Sequence, residues 1–274
     1  MEQPTGKMSL TFRRRGDGTT YLAQQYFKLP LQVMPPHYQD EDGTAFVYLL
    51  NPGGGILQHD RLLTEITAEE ESRVLVTTPS STKFYKMDEG CARVRNCVTV
   101  GKGAVVEYLP EYNVAFAEAS AYQETDFYLE EDSVLLASDL VTAGRVSRGE
   151  IFQYNLYASK TRIYVDGKLK VFDSSRIEPK KMEMGELGMM EGALSNGTIY
   201  VYAPGIGDDL AEELNRLCAK SENIRFAAGL IEKNLMIIRF LGDSMIDLQD
   251  TVFYVWNHLR KKILGKPAVR IRKY

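Results

Sequence analysis

Histidine and cysteine are scarce in this chain of 274 residues, which contains three of each. Cys91, Cys97 and Cys218 form an odd and widely spaced set, so a disulfide framework is not expected. The first fifteen residues lack the apolar core of a secretory signal, and no apolar run approaches the roughly 18 residues of a membrane-spanning helix. We therefore expect a cytoplasmic protein with reduced thiols and no membrane partner.

Several catalytic motifs are also missing. His37, His59 and His258 form no H-x-x-x-H pair, and Cys91 and Cys97 lack the second cysteine pair of a zinc site. The G-x-S-x-G turn that carries a serine nucleophile is absent. Carboxylates are abundant, so a pair suited to glycoside hydrolysis is not excluded. A mainly-β carbohydrate-active enzyme is therefore the enzymatic alternative, although no motif favours it.

The overall charge does not indicate a nucleic-acid-binding protein. The formal net charge is -4 and the pI is about 5.6, whereas such proteins usually concentrate basic residues on one face. The C-terminal stretch "LRKKILGKPAVRIRKY" is the exception, since it gathers Arg260, Lys261, Lys262, Lys266, Arg270, Arg272 and Lys273. We interpret it as a solvated helix end and tail, in preference to a partner-docking patch, because cations also suit the C-terminus of a helix.

The first 205 residues are predicted to be almost entirely β-strand. Short alternating runs such as "SRVLVTT", "ARVRNCVTV", "GAVVEYL" and "SAYQETDFYL" are separated by turn residues. In "IFQYNLY", Phe152, Tyr154 and Leu156 are expected on one strand face. "KTRIYVDGKLKVF" predicts a hairpin with Asp166 and Gly167 as its turn. These features favour one antiparallel or coiling sheet system over alternating βαβ units.

The last 70 residues change character and predict two helices. "GDDLAEELNRLCAK" has an apolar stripe of leucines, and "EKNLMIIRFLG" reads as a buried strand. In "DSMIDLQDTVFYVWNHLRKKILGKP", Ser244 is a candidate N-cap, Gly265 a candidate C-terminal cap, and Trp256 a core residue. We expect a single domain over residues 1–274, with a β-rich part (1–205) and an α/β part (206–274). The methionine-rich segment "KKMEMGELGMMEGALSNG" is predicted to be a mobile crossover between the two parts.

The glycine run in "NPGGGILQHDR" does not predict a nucleotide site. A Walker loop needs a lysine and a hydroxyl after its last glycine, and a dinucleotide fingerprint needs a following helix. Here Ile56 and Leu57 follow Gly55, and "RLLTEIT" then alternates as a strand. The glycines are therefore expected to allow close backbone packing or a positive φ angle between strands.

Five segments, in this order, resemble the family of the urease accessory protein UreD, also called UreH. They are "NPGGGILQHDRL", "VTTPSSTKFYK", "VEYLPEYNVAF", "SDLVTAGRVSRGEIFQYNL" and "FYVWNHLRKKILGKPAVRIRKY". The resemblance implies a mainly-β, β-helix-like scaffold with two α-helices near the C-terminus and no enzymatic activity. It also implies that the protein binds apo-urease and recruits UreF and, through UreF, the GTPase UreG. No tightly bound cofactor is implied, only transient nickel(II), which passes through the protein towards urease.

The resemblance further implies which residues contact nickel. Nickel binds strongly to nitrogen and sulfur ligands, so a passage should be lined by oxygen atoms and contain little histidine. The positions that match polar residues of the family's passage are Asp60, Asp139 and Asp173, with Thr82 as polar lining, and Glu150 is a further candidate. Asp60→Ala and Asp139→Ala are expected to leave complex formation intact and to lower the nickel content of urease. Each carboxylate has an alternative role as a hydrogen-bonding residue at a strand end.

Two of the departures from the family pattern concern the site. His59 stands where glycine is common, and Asp173 stands where glutamate is usual. A histidine beside Asp60 would either slow the release of nickel or face the solvent. A third hypothesis remains beside the scaffold with a nickel passage and the carbohydrate-active enzyme, namely a plain interaction module with no metal role.

Overall fold

Two stacked β-sheets form the body of the protein. The computed structural model describes residues 3–218 and 223–271. The seven-stranded sheet contains, in spatial order, β14 (Lys168–Ile177), β13 (Leu156–Val165), β11 (Ser120–Leu129), β8 (Ala92–Val100), β5 (Arg61–Ala68), β1 (Gly6–Arg14) and β2 (Thr20–Lys28). The ten-stranded sheet contains, in spatial order, β16 (Ile224–Glu232), β17 (Leu235–Gly242), β15 (Ser195–Tyr202), β12 (Val134–Thr142), β9 (Val105–Leu109), β6 (Arg73–Thr77), β4 (Ala45–Leu50) and β3 (Gln32–Val33). β10 (Asn113–Ala115) pairs with β12, and β7 (Thr82–Phe84) pairs with β10.

The strands coil as successive turns of a solenoid. β1, β5, β8, β11 and β13 pair in parallel in one sheet, and β4, β6, β9 and β12 do so in the other. Each coil therefore contributes one strand to each sheet. β2 pairs antiparallel at one end, and β14, β15, β17 and β16 add antiparallel pairs at the other. The prediction of a mainly-β, β-helix-like scaffold is confirmed.

Alternation along the strands places the main core between the two sheets. In β5, Leu62, Thr64, Ile66 and Ala68 are buried, while the alternate residues are partly exposed. The same phase brings Phe127 of β11 and Ile163 of β13 into this core. Burying each large apolar side chain contributes about 1.5–3 kcal/mol, so this alternation fixes which face of each strand points inwards.

A second core lies between the ten-stranded sheet and the two helices that were predicted near the C-terminus. α1 (Asp208–Cys218) buries Leu210 and Leu214, and α2 (Met245–Leu259) buries Leu248, Val255, Trp256 and Leu259. The hydroxyl of Ser244 accepts a hydrogen bond from the Asp247 backbone N–H over 3.1 Å, which confirms the predicted N-cap. α2 continues as a π-helical turn (Arg260–Leu264) that ends at Gly265 with φ = 69°. None of the described helices has the length and apolar composition needed to cross a membrane.

The interpretation of the C-terminal cations as solvated is wrong for Arg260, which is 0% exposed. Its guanidinium contacts Glu107 over 3.0 Å and Asp40 over 2.5 Å, and Trp256 Nε1 donates to the same Glu107 over 2.6 Å. Lys266 adds ion pairs of 2.7 Å to Asp40 and to Asp42. Buried charges must be paired, so this network anchors the end of α2 to the body of the protein. Arg272 and Lys273 lie outside the described residues.

Local predictions of two β segments had different outcomes. The hairpin is confirmed, because Asp166 and Gly167 connect β13 to β14 with φ angles of 47° and 73°. The strand expected over "IFQYNLY" is wrong for residues 151–155, which form an irregular loop. Phe152 has φ = 52°, outside the β region, and regular pairing starts only at Leu156.

The last strand of the ten-stranded sheet is covered by a side chain. Asn215 of α1 donates through Nδ2 to the carbonyl oxygen of Ala228 over 2.8 Å and accepts from the Ala228 N–H over 2.8 Å. Its amide thus imitates the peptide group of a neighbouring strand at the outer edge of β16. β16 was not predicted from the sequence, and this contact was therefore not expected.

Candidate functional site

The glycine-rich loop before β5 forms a tight bend against a neighbouring segment. Gly54 has φ = 78°, and a Cβ atom on Gly55 would lie 2.4 Å from the Tyr85 ring and 2.8 Å from the Lys83 carbonyl oxygen. The backbone of Ile56 exchanges hydrogen bonds with Lys83 and Tyr85 over 2.8 and 2.9 Å. The expectation of a positive φ angle and close backbone packing is confirmed. No phosphate-binding geometry is needed to explain these glycines.

This loop forms part of the wall of a cavity of about 420 Å³. Residues of the segment Thr78–Lys83 form a second part, and the inward faces of strands from both sheets form the rest. The polar side chains of the wall are Thr64, Thr78, Ser80, Ser81, Thr82, Lys83, Asn96, Tyr108, Asn113, Gln123, Thr125, Ser138, Asp139, Thr161 and Tyr200, with Asn51 at the glycine loop. Among the described residues of the wall, Asp139 is the single carboxylate and there is neither histidine nor cysteine.

Part of this wall is a row of polar residues in register across the seven-stranded sheet. β5, β8, β11, β13 and β14 each place one polar residue at the same height, and their Cα partners are Thr64, Asn96, Thr125, Thr161 and Asp173. Asn96 Nδ2 donates to the Thr125 hydroxyl over 3.2 Å. The first four are buried at positions where alternation would otherwise place apolar core residues. We call these five residues the polar rung.

Asp139 faces the rung from the opposite sheet. It lies on β12 between the core residues Ala137 and Val141. Oδ1 accepts hydrogen bonds from Asn113 Nδ2 over 3.2 Å and Gln123 Nε2 over 3.3 Å, and Oδ2 accepts one from Ser159 Oγ over 2.7 Å. Burial raises the pKa of Asp139, and the Ser159 hydrogen bond opposes this rise. Three donors thus stabilise the ionised carboxylate in a site that otherwise disfavours charge.

Asp173, the last residue of the rung, lies behind a tyrosine of the cavity wall. The Tyr200 hydroxyl donates to Asp173 Oδ2 over 2.5 Å, and Arg239 Nη2 pairs with the same oxygen over 2.7 Å. Burial, with the nearby Asp173 charge, raises the pKa of Tyr200, so the hydroxyl remains a donor. The side chain of Arg239 is 54% exposed, so the rung reaches from the cavity to a cation at the surface.

The other predicted site residues lie in different surroundings. Thr82 is in the cavity wall, next to Asn113 in the pairing of β7 with β10. Asp60 is outside the wall, where Oδ2 accepts from the Leu57 N–H over 2.8 Å and Oδ1 from the Thr5 hydroxyl over 3.3 Å, which fixes the turn before β5.

Glu150 is also outside the cavity wall. It pairs with Arg145, whose hydrogen bond lowers the pKa of this carboxylate, and it accepts from the Ala117 N–H over 3.2 Å. The Arg145 guanidinium stacks over the Phe116 ring at 4.1 Å. The structure therefore brings Asp139, Thr82 and, through Tyr200, Asp173 together, and separates Asp60 and Glu150 from them.

His59 adopts φ = 64°, a backbone region that glycine occupies without strain. The glycine that the family resemblance implies at this position would adopt this angle without strain. A Cβ atom on Gly90 would lie 2.6 Å from the His59 ring, so the imidazole packs closely on that turn. His59 is exposed and does not line the cavity.

Asn113, Gln123, Ser159 and Tyr200 were not predicted from the sequence. A signal for two of them was present, because Gln123 and Thr125 occupy the apolar phase of "SAYQETDFYL" between Ala121 and Phe127. Ser159 and Thr161 similarly occupy the phase of Ile163 and Val165 in β13. Polar residues in the buried phase of successive strands are the pattern that reveals this cavity.

Comparisons with known proteins agree on one family. The family model described as UreD urease accessory protein matches residues 4–273. The chain is 28% identical to the urease accessory protein UreD of Bacillus cereus over 274 residues, which cover all of both chains. It is 30% identical to the UreD protein of Bacillus sp. strain TB-90, with 98% and 99% of the chains covered, and 34% identical to that of Cenarchaeum symbiosum, with 73% and 71% covered.

Proposed function

The chain belongs to the UreD family of urease accessory proteins, and from this premise we propose that it is a urease-maturation scaffold with an internal path for nickel. It binds apo-urease and recruits UreF and, through UreF, the GTPase UreG. Nickel(II) is a transient cargo of the protein, and the chain itself catalyses no reaction. The relatives are named accessory proteins, which supports a non-catalytic role.

The observation that carries the nickel path is the polar rung. A β-solenoid core of this size is expected to be filled by apolar side chains, because unpaired polar groups are costly to bury. Here Thr64, Asn96, Thr125 and Thr161 instead line a cavity large enough for several water molecules. This arrangement favours a hydrated channel along the coil axis over a purely structural core.

The ligand chemistry of the cavity suits a metal ion in transit. Hydroxyl, amide and carboxylate oxygens bind nickel more weakly than imidazole or thiolate, so the ion can be released. Asp139 supplies one negative charge, and its three hydrogen-bond donors hold that charge at a fixed place. The described part of the wall offers no imidazole or thiolate that would retain the ion.

Both ends of such a path have candidate openings. At one end the glycine loop and Ser80 and Ser81 border the cavity. A second cavity of about 480 Å³ lies beside α2 and shares Pro110 and Ser138 with the first. Arg239 covers Asp173 at the far end of the rung, so its movement would expose a second carboxylate to the path.

The geometry gives less support to the carbohydrate-active enzyme. Glycoside hydrolysis requires two carboxyl groups that flank one bond. Asp139 is the single carboxylate among the described residues of the cavity wall, and Asp173 is occupied by Tyr200 and Arg239. No observation in the described residues favours that function specifically.

The first experiment measures nickel per active site and specific activity of urease purified from cells that co-express its structural and accessory genes. Omission of this chain should leave urease intact but poor in nickel and inactive. Asp139→Asn should preserve the complex with urease but lower the nickel content, since it removes the charge and keeps the shape. Asp88→Asn, at an exposed position, is the matched control. Fully loaded urease with Asp139→Asn would refute the path, and fully loaded urease without the chain would refute the maturation role.

Asp60→Ala and Glu150→Gln test the two predicted residues that lie outside the cavity wall. A nickel path through this cavity predicts that neither change lowers the nickel content as strongly as Asp139→Asn. A stronger effect of Asp60→Ala would move the path to the surface beside the glycine loop.

A further inference from the structure

The outer face of the seven-stranded sheet carries an unusual concentration of positive charge. Its first row of outward residues, at the start of the parallel strands, contains Arg61, Arg93 and Arg176, separated by Tyr122 and Ala158. This row contains no acidic residue. The positions are in register, so the three arginines form a line across the sheet.

The next row is also mainly basic. Lys28, Lys7, Arg95 and Lys160 lie on it, and Glu124 is its single acidic residue. We call these two rows, together with the adjoining row that contains Glu65, Asp126 and Arg162, the basic face. The basic face holds eight basic and three acidic side chains, although the net charge of the whole chain is -4.

Each acidic side chain of the basic face is already paired within it. Glu65 contacts Lys7 over 2.9 Å, and Glu124 contacts Arg162 over 3.1 Å. Asp126, which is 1% exposed, accepts from Arg95 over 3.1 Å and from Arg162 over 2.7 Å. Arg176 also pairs with Glu178, just beyond the basic face, over 2.7 Å. The carboxylates within the basic face are nevertheless fewer than its eight cations.

Two of the arginines are held in position by one ring. The Arg93 and Arg176 guanidinium carbons lie 4.7 and 5.9 Å from the centroid of Tyr122, and Arg176 Nη1 donates to its hydroxyl over 3.2 Å. Stacking on an aromatic ring reduces the conformational freedom that an arginine loses on binding. Both side chains remain exposed. Their guanidinium groups are thus pre-organised for carboxylates of another molecule.

An uncharged, partly aromatic row borders the basic face. Tyr128 and Tyr164 stack with centroids 5.1 Å apart, Leu169 is 51% exposed, and Phe172 at the edge of the basic face is 59% exposed.

This composition suits a protein partner better than a nucleic acid. Arginine and aromatic residues are enriched in protein interfaces, whereas a polyanion is bound mainly by cations. A sheet of seven strands is about 29 Å wide, which suits an interface of about 800 Å² per partner.

We propose that the basic face is a docking surface for a protein partner that presents an acidic patch beside an apolar one. The identity of that partner rests on the proposed function, in which urease and UreF are the candidates. The existence of the docking surface does not depend on that function. Complementary charge accelerates association and selects orientation, and the aromatic row adds desolvated contact area.

The test reverses two charges of the basic face and two elsewhere. Arg93→Glu with Arg176→Glu is compared with Lys233→Glu with Lys261→Glu, at exposed positions in the turn between β16 and β17 and on the π-helical turn. In co-purification with urease and UreF, we expect the first variant alone to weaken binding of one partner by about tenfold or more near 0.1 M salt. The wild-type affinity should fall as salt rises, and that of the variant should respond less. Unchanged binding of both partners would overturn the proposal.

A second measurement uses the isolated chain and does not depend on urease. A synthetic peptide of alternating glutamate and tyrosine should bind the wild type and the Lys233/Lys261 variant, but not the Arg93/Arg176 variant, in fluorescence anisotropy. Equal binding to all three proteins would overturn the docking surface even if urease maturation requires the chain. Tighter binding of a duplex oligonucleotide than of the peptide, or a self-association lost in the Arg93/Arg176 variant, would overturn the protein partner as occupant. If peptide binding follows the prediction but no urease component co-purifies with the wild type, the proposed function fails and the docking surface stands.

Discussion

Replacing Arg260 by methionine is expected to destabilise the protein strongly. The substitution preserves most of the side-chain volume and removes the charge. Glu107, which is 1% exposed, would keep the hydrogen bond from Trp256 but lose its cation, while Asp40 would keep Lys266. Burial already raises the pKa of Glu107, and the Arg260 charge opposes that rise. Without Arg260 the carboxylate must be protonated or remain buried and unpaired.

The expected cost is about 3–5 kcal/mol, the usual result of removing one partner of a buried ion pair. This is a large fraction of the roughly 5–15 kcal/mol by which native domains are stable. The double variant Glu107→Gln with Arg260→Met should recover part of the loss, because a neutral amide replaces the unpaired charge and still accepts from Trp256. The two changes should therefore be non-additive by about 0.5–3 kcal/mol.

Urea unfolding followed by tryptophan fluorescence measures this directly, since Trp256 is the single tryptophan of the chain and donates to Glu107. Lys262→Met is the matched control, because Lys262 makes an exposed ion pair with Glu213, and it should change little. A loss below about 1 kcal/mol for Arg260→Met, or full additivity with Glu107→Gln, would refute the assignment of Arg260 as the anchor of α2.

Three further predictions concern the cavity. Burial raises the pKa of Asp139 above its usual value, so its carboxylate is ionised mainly above that raised pKa. In a reconstituted assay, nickel transfer to urease should therefore fall as the pH decreases through the pKa of Asp139. Asp139→Asn should remove this pH dependence. The raised pKa also means that the folded state disfavours the charged form of Asp139 at neutral pH. Asp139→Asn should therefore leave the midpoint of urea unfolding unchanged or raise it. A large decrease in the midpoint would contradict a buried environment that disfavours the Asp139 charge. Gly55→Ala should destabilise the protein, because the new methyl group would lie 2.4 Å from the Tyr85 ring, and an unchanged melting temperature would show that the loop bends otherwise.

Local signals in the sequence were sufficient for several elements. Asp166 and Gly167 predicted the β13–β14 hairpin because both residues tolerate the positive φ angles of a two-residue turn. Ser244 and Gly265 bounded the last helix through capping preferences that depend on neighbouring residues alone. Coiling could be inferred because β-strands followed one another without intervening helices.

Features that depend on residues distant in the sequence were harder to predict. Arg260 was interpreted as solvated because its partners Glu107 and Asp40 lie 153 and 220 positions away in the sequence. The loop at residues 151–155 is not a strand, because Phe152 has a positive φ angle. The alternation of apolar and polar residues in this segment does not reveal that angle. For the site, motif resemblance predicted Asp139 and Thr82, which line the cavity, together with Asp60 and Glu150, which do not. The motifs could not separate the two pairs, since spatial grouping follows from the register of parallel coils.

A stack of parallel coils has no intrinsic length, because every added coil offers the next one a fresh edge. The two hydrogen bonds from Asn215 to Ala228 occupy backbone groups that a further strand would need at the margin of β16. One amide side chain thus blocks the open edge of β16 at Ala228, in the way that natural edge strands are blocked. The helix that contributes to the second core therefore also hinders the pairing of another strand at this edge of the ten-stranded sheet.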